Sequence, residues 1–514
     1  MKKYAIAAVF ALCSPLQAQE QPPAELRPCE DLAGLAPANT TISAAVKVEP
    51  GAFTAPVPDL FGPPGGYENL PAFCRVTGSI HPTPESDIRF ELWLPEEGWN
   101  GKFLQTGNGG AAGIIIYNSL SDPLRRGYAV ANTDTGHQGA GGDYSWATGQ
   151  PQKLIDYQYR AVHELTVVGK ALTAARFGRE PGRSYWLGCS TGGRQGLKEA
   201  QRYPEDYDGI IAGAPASNWL PLMALSVLIG NNLAPGGLPA ERLTLLKEAA
   251  IAACDTRDGL ADRVITDPAS CDFDPTSLQC ADGQASTCLG PDEIAAAQRM
   301  YAGVVESDGE VLMPGTGPAS EPQWAWFQAG VFDIGASYFR YVVYNNPEWD
   351  PAGFDLDADV AYAEQLDGGV TGAMDPDLSA FTARGGKLIT WHGTTDGLIP
   401  FGNSVNYHES VVAQLGQDRA DASTRFYLVP GMDHCGGGEG AFEVDWLGAL
   451  ERWVEEGQAP AALTALHPAI MYGPPGVPPA ESRPFARVIC PWPQIPGWLG
   501  GNPDEAGSFA CKAP

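Results

Sequence analysis

The sequence predicts an α/β protein: a mostly parallel sheet flanked by helices and interrupted by a large inserted domain. Three observations predict it. Short apolar runs ending at turn residues recur at 73–80, 88–94, 102–105 and 128–132, and again at 209–213, 387–391 and 425–429, with helical patterns between the later ones. One further run, from Ser184, ends in Gly188-Cys189-Ser190-Thr191-Gly192 and leads into a helix-compatible stretch, Leu197 to Arg202. Strand, sharp turn and helix in that order are the context in which G-x-S-x-G exposes a serine. Finally, the alternation is lost between about 218 and 372, where four cysteines, many aspartates and several aromatics gather.

The N-terminus reads Met1-Lys2-Lys3, an apolar run from Tyr4 to Cys13, then Leu16-Gln17-Ala18. Basic, apolar and small-residue regions in that order predict a signal peptide over 1–18, cleaved after Ala18. Leu12 is a poor neighbour for a lipidated cysteine, which argues against Cys13 as an anchor. Loss of Lys2 and Lys3 takes the formal charge from −29 to −31. So acidic a surface repels nucleic acid and anionic membrane, and neither is an expected partner. No later apolar run is long enough to span a bilayer. At 44% hydrophobic and 18% charged residues the chain is globular, and 514 residues exceed one minimal domain. The expected division is 1–18 signal peptide, 19–217 first part of the core, 218–372 inserted lid, and 373–514 second part of the core.

Residues 19 to about 70 are Pro- and Ala-rich and read as an arm over the core, pinned by Cys29. Apolar spacing of three and four predicts one amphipathic helix over Leu154 to Phe177, leading into the strand before Ser190. Gly209 to Gly213 is the next strand, ending in Ala214-Pro215. The pattern resumes at Lys387-Leu388-Ile389-Thr390-Trp391 and at Arg425-Phe426-Tyr427-Leu428-Val429. A Pro-rich tail from about 465 loops back. Ten cysteines remain in the mature chain, an even number in an exported protein, which argues for five disulfides.

A serine hydroxyl needs a base, and the base needs an orienting acid. When a nucleophile elbow carries the serine, the order along the chain is Ser, acid, His, as in α/β-hydrolases. Gly188 and Gly192 let strand and helix approach closely around Ser190. Among the histidines after the resumed core, His434 stands on a Gly-flanked loop just past a strand, in Pro430-Gly431-Met432-Asp433-His434-Cys435. His392 ends the preceding strand and His408 lies in a helical segment, so both read as structural. Asp396, in His392-Gly393-Thr394-Thr395-Asp396-Gly397, occupies the loop where the acid belongs, although Asp before Gly is also a common turn. Cys189 precedes Ser190 and Cys435 follows His434, so contact between nucleophile and base brings the two sulfurs together. The oxyanion donors expected are the N–H of Thr191 and one from Gln105-Thr106-Gly107-Asn108-Gly109-Gly110, assigned to Gly109.

Gly188-Cys189-Ser190-Thr191-Gly192-Gly193-Arg194, the His434-Cys435 pair, and Asp208-Gly209-Ile210-Ile211-Ala212-Gly213-Ala214-Pro215 together resemble the tannase and feruloyl esterase family across nearly the whole mature chain. The resemblance implies an exported α/β-hydrolase with a lid, acting on small esters of aromatic acids, hydroxycinnamic or gallic. It supports Ser190, Asp396 and His434 as triad and the Cys189–Cys435 bridge. It further implies bridges Cys29–Cys74, Cys254–Cys271, Cys280–Cys288 and Cys490–Cys511. Family members carry calcium in the lid, and Cys254 to Val264 matches that spacing. The carboxylates of Asp255, Asp258 and Asp262 and the carbonyls of Leu260 and Val264 are hard oxygen ligands suited to a structural Ca²⁺. No organic cofactor is expected. The family also includes hydrolases of mono(2-hydroxyethyl) terephthalate. The stretch from Tyr338 to Asp350 looks more like the feruloyl esterase and tannase members, and the lid lacks an evident arginine for a terephthalate carboxylate. A non-catalytic binding protein is the other rival, opposed by the presence of all three triad residues.

Overall fold

A computed structural model of the chain describes residues 26–58, 66–281, 287–472 and 478–514; the expected signal peptide lies outside them. A nine-stranded sheet runs through the molecule. Its strands are β1 Thr40–Val48, β2 Phe73–Ile80, β3 Ile88–Pro95, β4 Lys102–Thr106, β5 Ala129–Thr133, β6 Arg183–Cys189, β7 Gly209–Gly213, β8 Lys387–Gly393 and β9 Thr424–Val429. Their spatial order is β1-β2-β3-β5-β4-β6-β7-β8-β9. Pairing is parallel from β5 to β9 and antiparallel among β1, β2, β3 and β5. The sheet is therefore mixed, with its antiparallel pairs confined to one edge.

The parallel half is covered on both faces, and its strands are continuous apolar runs as such burial requires. Val162, Leu165, Val168 and Leu172 of helix α1, Ala161–Phe177, pack on one face with Phe103 and Ala131. Trp391, Tyr427, Trp446 and Leu450 cover the other. Two sequence expectations change here. β1 falls in the stretch read as an arm; only Ala45 of its nine residues is buried, so this edge strand carries no apolar alternation to reveal it. The helix expected from Leu154 starts at Pro151 and carries a π turn at Asp156–Arg160, which turns Asp156, Tyr157 and Gln158 inward.

Between β7 and β8 the chain leaves the sheet for a largely helical segment with its own core, including Trp219, Met223, Trp324 and Phe339. Its two crossings are tied together where Ala373 N–H donates to the Ser217 carbonyl at 2.8 Å. They are also tied to helix α2, Thr191–Arg202, which follows Ser190. Arg194, Lys198 and Gln201, on one face of α2, donate in turn to the carbonyls of Thr371, Gly372 and Ala373. The Arg194 guanidinium lies 4.9 and 4.8 Å from the ring centres of Tyr157 and Trp219, cation–π contacts that offset part of the cost of burying it. Among the described residues the tail from Leu463 forms three short antiparallel strand pairs, and the Cys490–Cys511 bridge ties the first in the chain to the last.

Gly196 of α2 faces Trp186 of β6, and a Cβ there would lie 2.6 Å from the indole ring. Gly196→Ala is therefore expected to overpack this contact and cost about 1–3 kcal/mol. A urea midpoint equal to that of the parent would show that helix and strand are not this tightly packed.

Candidate active site

The carboxyl ends of β4, β6, β7, β8 and β9 lie side by side, and the loops leaving them meet. At the centre Ser190 has φ 63° and ψ −124°, a conformation costly for a residue with a side chain. Glycines make the turn possible: a Cβ on Gly188 would sit 2.5 Å from Gly192, and one on Gly193 2.3 Å from the Gly213 carbonyl. The turn is held by Ser190 N–H donating to Gly213 O at 3.0 Å.

The structure brings the three residues singled out in the sequence into one line. Ser190 Oγ lies 3.0 Å from His434 Nε2, and His434 Nδ1 lies 2.7 Å from Asp396 Oδ2. With Nδ1 facing a carboxylate, the ring is assigned the Nδ1–H tautomer, leaving Nε2 to accept the serine hydroxyl. Asp396 is fully buried. Burial works to raise its pKa, but the electrostatic attraction of His434 and then the hydrogen bonds from His392 and His434 outweigh it and hold the carboxyl well below the ordinary carboxylate range. The group is an anion throughout the neutral range.

Thr394 Oγ1 accepts from Gly431 N–H at 2.9 Å, and Thr395 Oγ1 donates to Asp433 Oδ1 at 2.8 Å, lacing the Asp396 loop to the His434 loop. The inserted segment adds Gln323, whose Oε1 accepts from His434 N–H at 3.2 Å and whose amide donates to the Thr395 carbonyl. Gln323 was not legible in the sequence: it lies 111 positions before His434, in a segment with no strand or helix pattern to place it.

The loop after β4 is fixed by its own polar contacts. Asn108 N–H donates to Gln195 Oε1 at 3.0 Å, Asn108 O accepts from Gly192 N–H at 2.7 Å, and Ala111 N–H donates to Gly141 O at 2.6 Å. His137 Nε2 stands 2.9 Å from Ala111 O, and burial pushes its pKa down to about 4, so it is a neutral prop. Among the described residues no acceptor takes the N–H of Gly109 or of Thr191. The same holds, among the described residues, for the N–H of Gly110.

All five disulfides pair as the resemblance implied: Cys29–Cys74, Cys189–Cys435, Cys254–Cys271, Cys280–Cys288 and Cys490–Cys511. The second has its Cα atoms 6.0 Å apart across 246 positions and joins the residues flanking Ser190 and His434.

The aspartates of the loop after Cys254 curl it tightly. Asp258 Oδ1 accepts from Leu260 N–H, Asp262 Oδ1 from Val264 N–H, and Asp255 Oδ1 from Asp262 N–H. Burial raises the pKa of Asp255, and the negative charges of Asp262 and Asp258 raise it further. Among the described residues the Leu260 and Val264 carbonyls accept no hydrogen bond. Carboxylates and carbonyl oxygens are the donor chemistry a hard cation takes. Asp262 Oδ2 also pairs with Arg487 of the tail at 2.6 Å, and the three carboxylates are not all within 4.8 Å of one another.

Comparison with known proteins agrees across this architecture. The family described as "Tannase and feruloyl esterase" matches residues 74–512. An uncharacterised esterase of Xanthomonas campestris pv. campestris is 37% identical, covering 94% of this chain and 91% of that protein. A probable feruloyl esterase B-2 of Aspergillus flavus is 34% identical over 76% of this chain and 79% of its own length. Among solved structures, feruloyl esterase B from Aspergillus oryzae superposes with a TM-score of 0.84 at 29% identity, covering 94% of this chain and 99% of that one. The tannin acyl hydrolase from Aspergillus niger gives 0.77 at 25%, covering 96% of each.

Opening the 246-residue loop closed by Cys189 and Cys435 is expected to cost about 5 kcal/mol in the chain-entropy model. The double substitution Cys189→Ala/Cys435→Ala will accordingly unfold at lower temperature than the parent. Peptide mapping without reduction will recover the two cysteine peptides linked; free thiols or other partners would contradict the arrangement.

Proposed function

Since the chain belongs to the tannase and feruloyl esterase family and is a carboxylic ester hydrolase, we propose that it is an exported serine esterase of the α/β-hydrolase fold, with residues 218–372 as its lid, that cleaves small esters of aromatic acids, hydroxycinnamic or gallic. The observation that carries the reading is the line Ser190 Oγ, His434, Asp396 at 3.0 and 2.7 Å. Ser190 attacks the ester carbonyl carbon while His434 Nε2 takes its proton. Asp396 holds the imidazole by Nδ1–H and offsets the charge it acquires. The N–H groups of Gly109 and Thr191 receive the oxyanion. His434 then protonates the departing alcohol, and a water activated by the same nitrogen cleaves the acyl-enzyme.

Support for an aromatic acyl group comes from the ring surfaces near the oxyanion loop. Phe332 of the inserted segment packs on Gly142, beside the Gly141 carbonyl that holds Ala111. The half-exposed Trp326 stands edge-on to Phe332. A terephthalate half-ester is disfavoured: Arg242, Arg257, Arg263, Arg299 and Arg340, the arginines of 218–372, each hold a partner within the protein. Export is supported by five disulfides, which persist in oxidising compartments.

Structural calcium is the second part of the proposal. Asp255, Asp258 and Asp262 with the carbonyls of Leu260 and Val264 would hold it, and its chemistry there is charge neutralisation. The same loop leans on the His434 loop, with Arg263 Nη2 3.1 Å from Glu439 Oε1.

Ser190→Ala is expected to abolish hydrolysis of methyl ferulate, methyl gallate and chlorogenic acid, and labelling by a fluorophosphonate, while melting like the parent. Retained turnover would remove Ser190 from its role. Asp396→Asn will favour the wrong tautomer and lower kcat about 10⁴-fold; if Asp433→Asn proved the more damaging change, the acid is misassigned. Chelation, and separately Asp258→Ala, will lower the melting temperature; a melting curve indifferent to both counts against the ion.

A further inference from the structure

We propose that His392 is a positioning residue for this reaction: a second imidazole, on the side of Asp396 away from His434, that holds the carboxylate in place. The inference rests on the roles given above to Ser190, His434 and Asp396.

His392 ends the run of β8 and is fully buried. Its ring is held at both nitrogens. Nε2 is 2.9 Å from the carbonyl oxygen of Ile399 and 3.2 Å from Asp396 Oδ2. Both are acceptors, so Nε2 carries the hydrogen and shares it between them. Nδ1 is then bare and accepts from Ser404 Oγ at 2.8 Å. Ser404 lies on helix α3, Phe401–Leu415, and is also buried. The imidazole therefore connects a rigid helix to the carboxylate.

The count of donors on Asp396 shows what this accomplishes. Oδ1 accepts from the N–H groups of Leu398 and Ile399 at 2.9 and 2.8 Å. Oδ2 accepts from His434 at 2.7 Å and from His392 at 3.2 Å. A carboxylate offers about four lone-pair sites, and here all four are met. With His392 absent, Oδ2 would keep one donor, the one that moves with the catalytic ring. Rotation about the Asp396 Cβ–Cγ bond, intrinsically soft, would then be checked on one oxygen only.

The chain Ser404–His392–Asp396–His434–Ser190 is nearly symmetric in residue type, but its ends differ. Ser190 and His434 are partly exposed at the meeting of the loops, whereas Ser404 and His392 are sealed. No substrate atom reaches His392, which therefore acts through Asp396.

Four proteins test this on p-nitrophenyl acetate and methyl ferulate: His392→Phe, which fills the space without a donor; His392→Gln, which returns an amide N–H; Ser404→Ala, which frees one end of the ring; and Ser190→Ala as the reference for the reaction itself. His392→Phe is expected to lower kcat about a hundredfold, the scale of a small displacement at a reacting centre, with KM within about twofold of the parent. His392→Gln is expected to recover about tenfold of that loss. Should His392→Phe fail to fold, Ser404→Ala still serves, with kcat expected to fall about tenfold at unchanged KM. In each impaired variant the low-field proton resonance of the His434–Asp396 hydrogen bond will move or broaden. Parental kcat in folded His392→Phe or Ser404→Ala, or lost activity with that resonance unchanged, would overturn the inference. An active Ser190→Ala would instead overturn the serine mechanism on which it rests.

Discussion

One buried negative charge constrains the arrangement of the loops. Asp396 has no exposure to solvent, and an unpaired carboxylate in that position would cost several kcal/mol. The protein meets the charge from three directions: backbone N–H groups of its own loop, His392 from the strand that precedes it, and His434 from the loop after the next strand. Placing His434 on the carboxylate also aims its second nitrogen at Ser190. Charge compensation and the line from Asp396 through His434 to Ser190 are thus the same set of contacts, and threonine hydroxyls lace the Asp396 and His434 loops together.

The inserted segment takes part in this frame. Gln323 reaches from it to both loops, and its two crossings are fastened to helix α2 through Arg194, Lys198 and Gln201. The N-terminus of α2 carries Ser190. One helix therefore sets Ser190 at its start and the roots of the insertion along its side. The Cys189–Cys435 bridge ties the residue before Ser190 to the residue after His434. There the chain takes φ 60° at Cys435 and runs on into three glycines.

Much of the site was legible because its parts are local. A sharp turn between strand and helix needs small residues at fixed offsets, so Gly188 and Gly192 mark Ser190 directly. Asp396 and His434 follow the strands whose ends form the site, and strands buried on both faces announce themselves as apolar runs. The paired Cys-Ser and His-Cys pointed to one contact across 246 positions. β1 was missed for the converse reason: an edge strand with one buried residue needs no alternation.

The sequence by itself determined the α/β class, the segment between the two halves of the sheet, the sharp turn at Ser190, and that Asp396 and His434 follow neighbouring strand ends. Only the tertiary structure decided that His392, read from the sequence as structural, touches Asp396, and that Gln323 supports His434. It also decided that the antiparallel pairs lie at one edge of the sheet and that the aspartate loop leans on the histidine loop. The physical reason is range. Turns, helix faces and strand runs are set by neighbours a few residues away and are written in spacing. Hydrogen bonds between side chains of distant segments depend on how whole elements pack, and no local pattern encodes that.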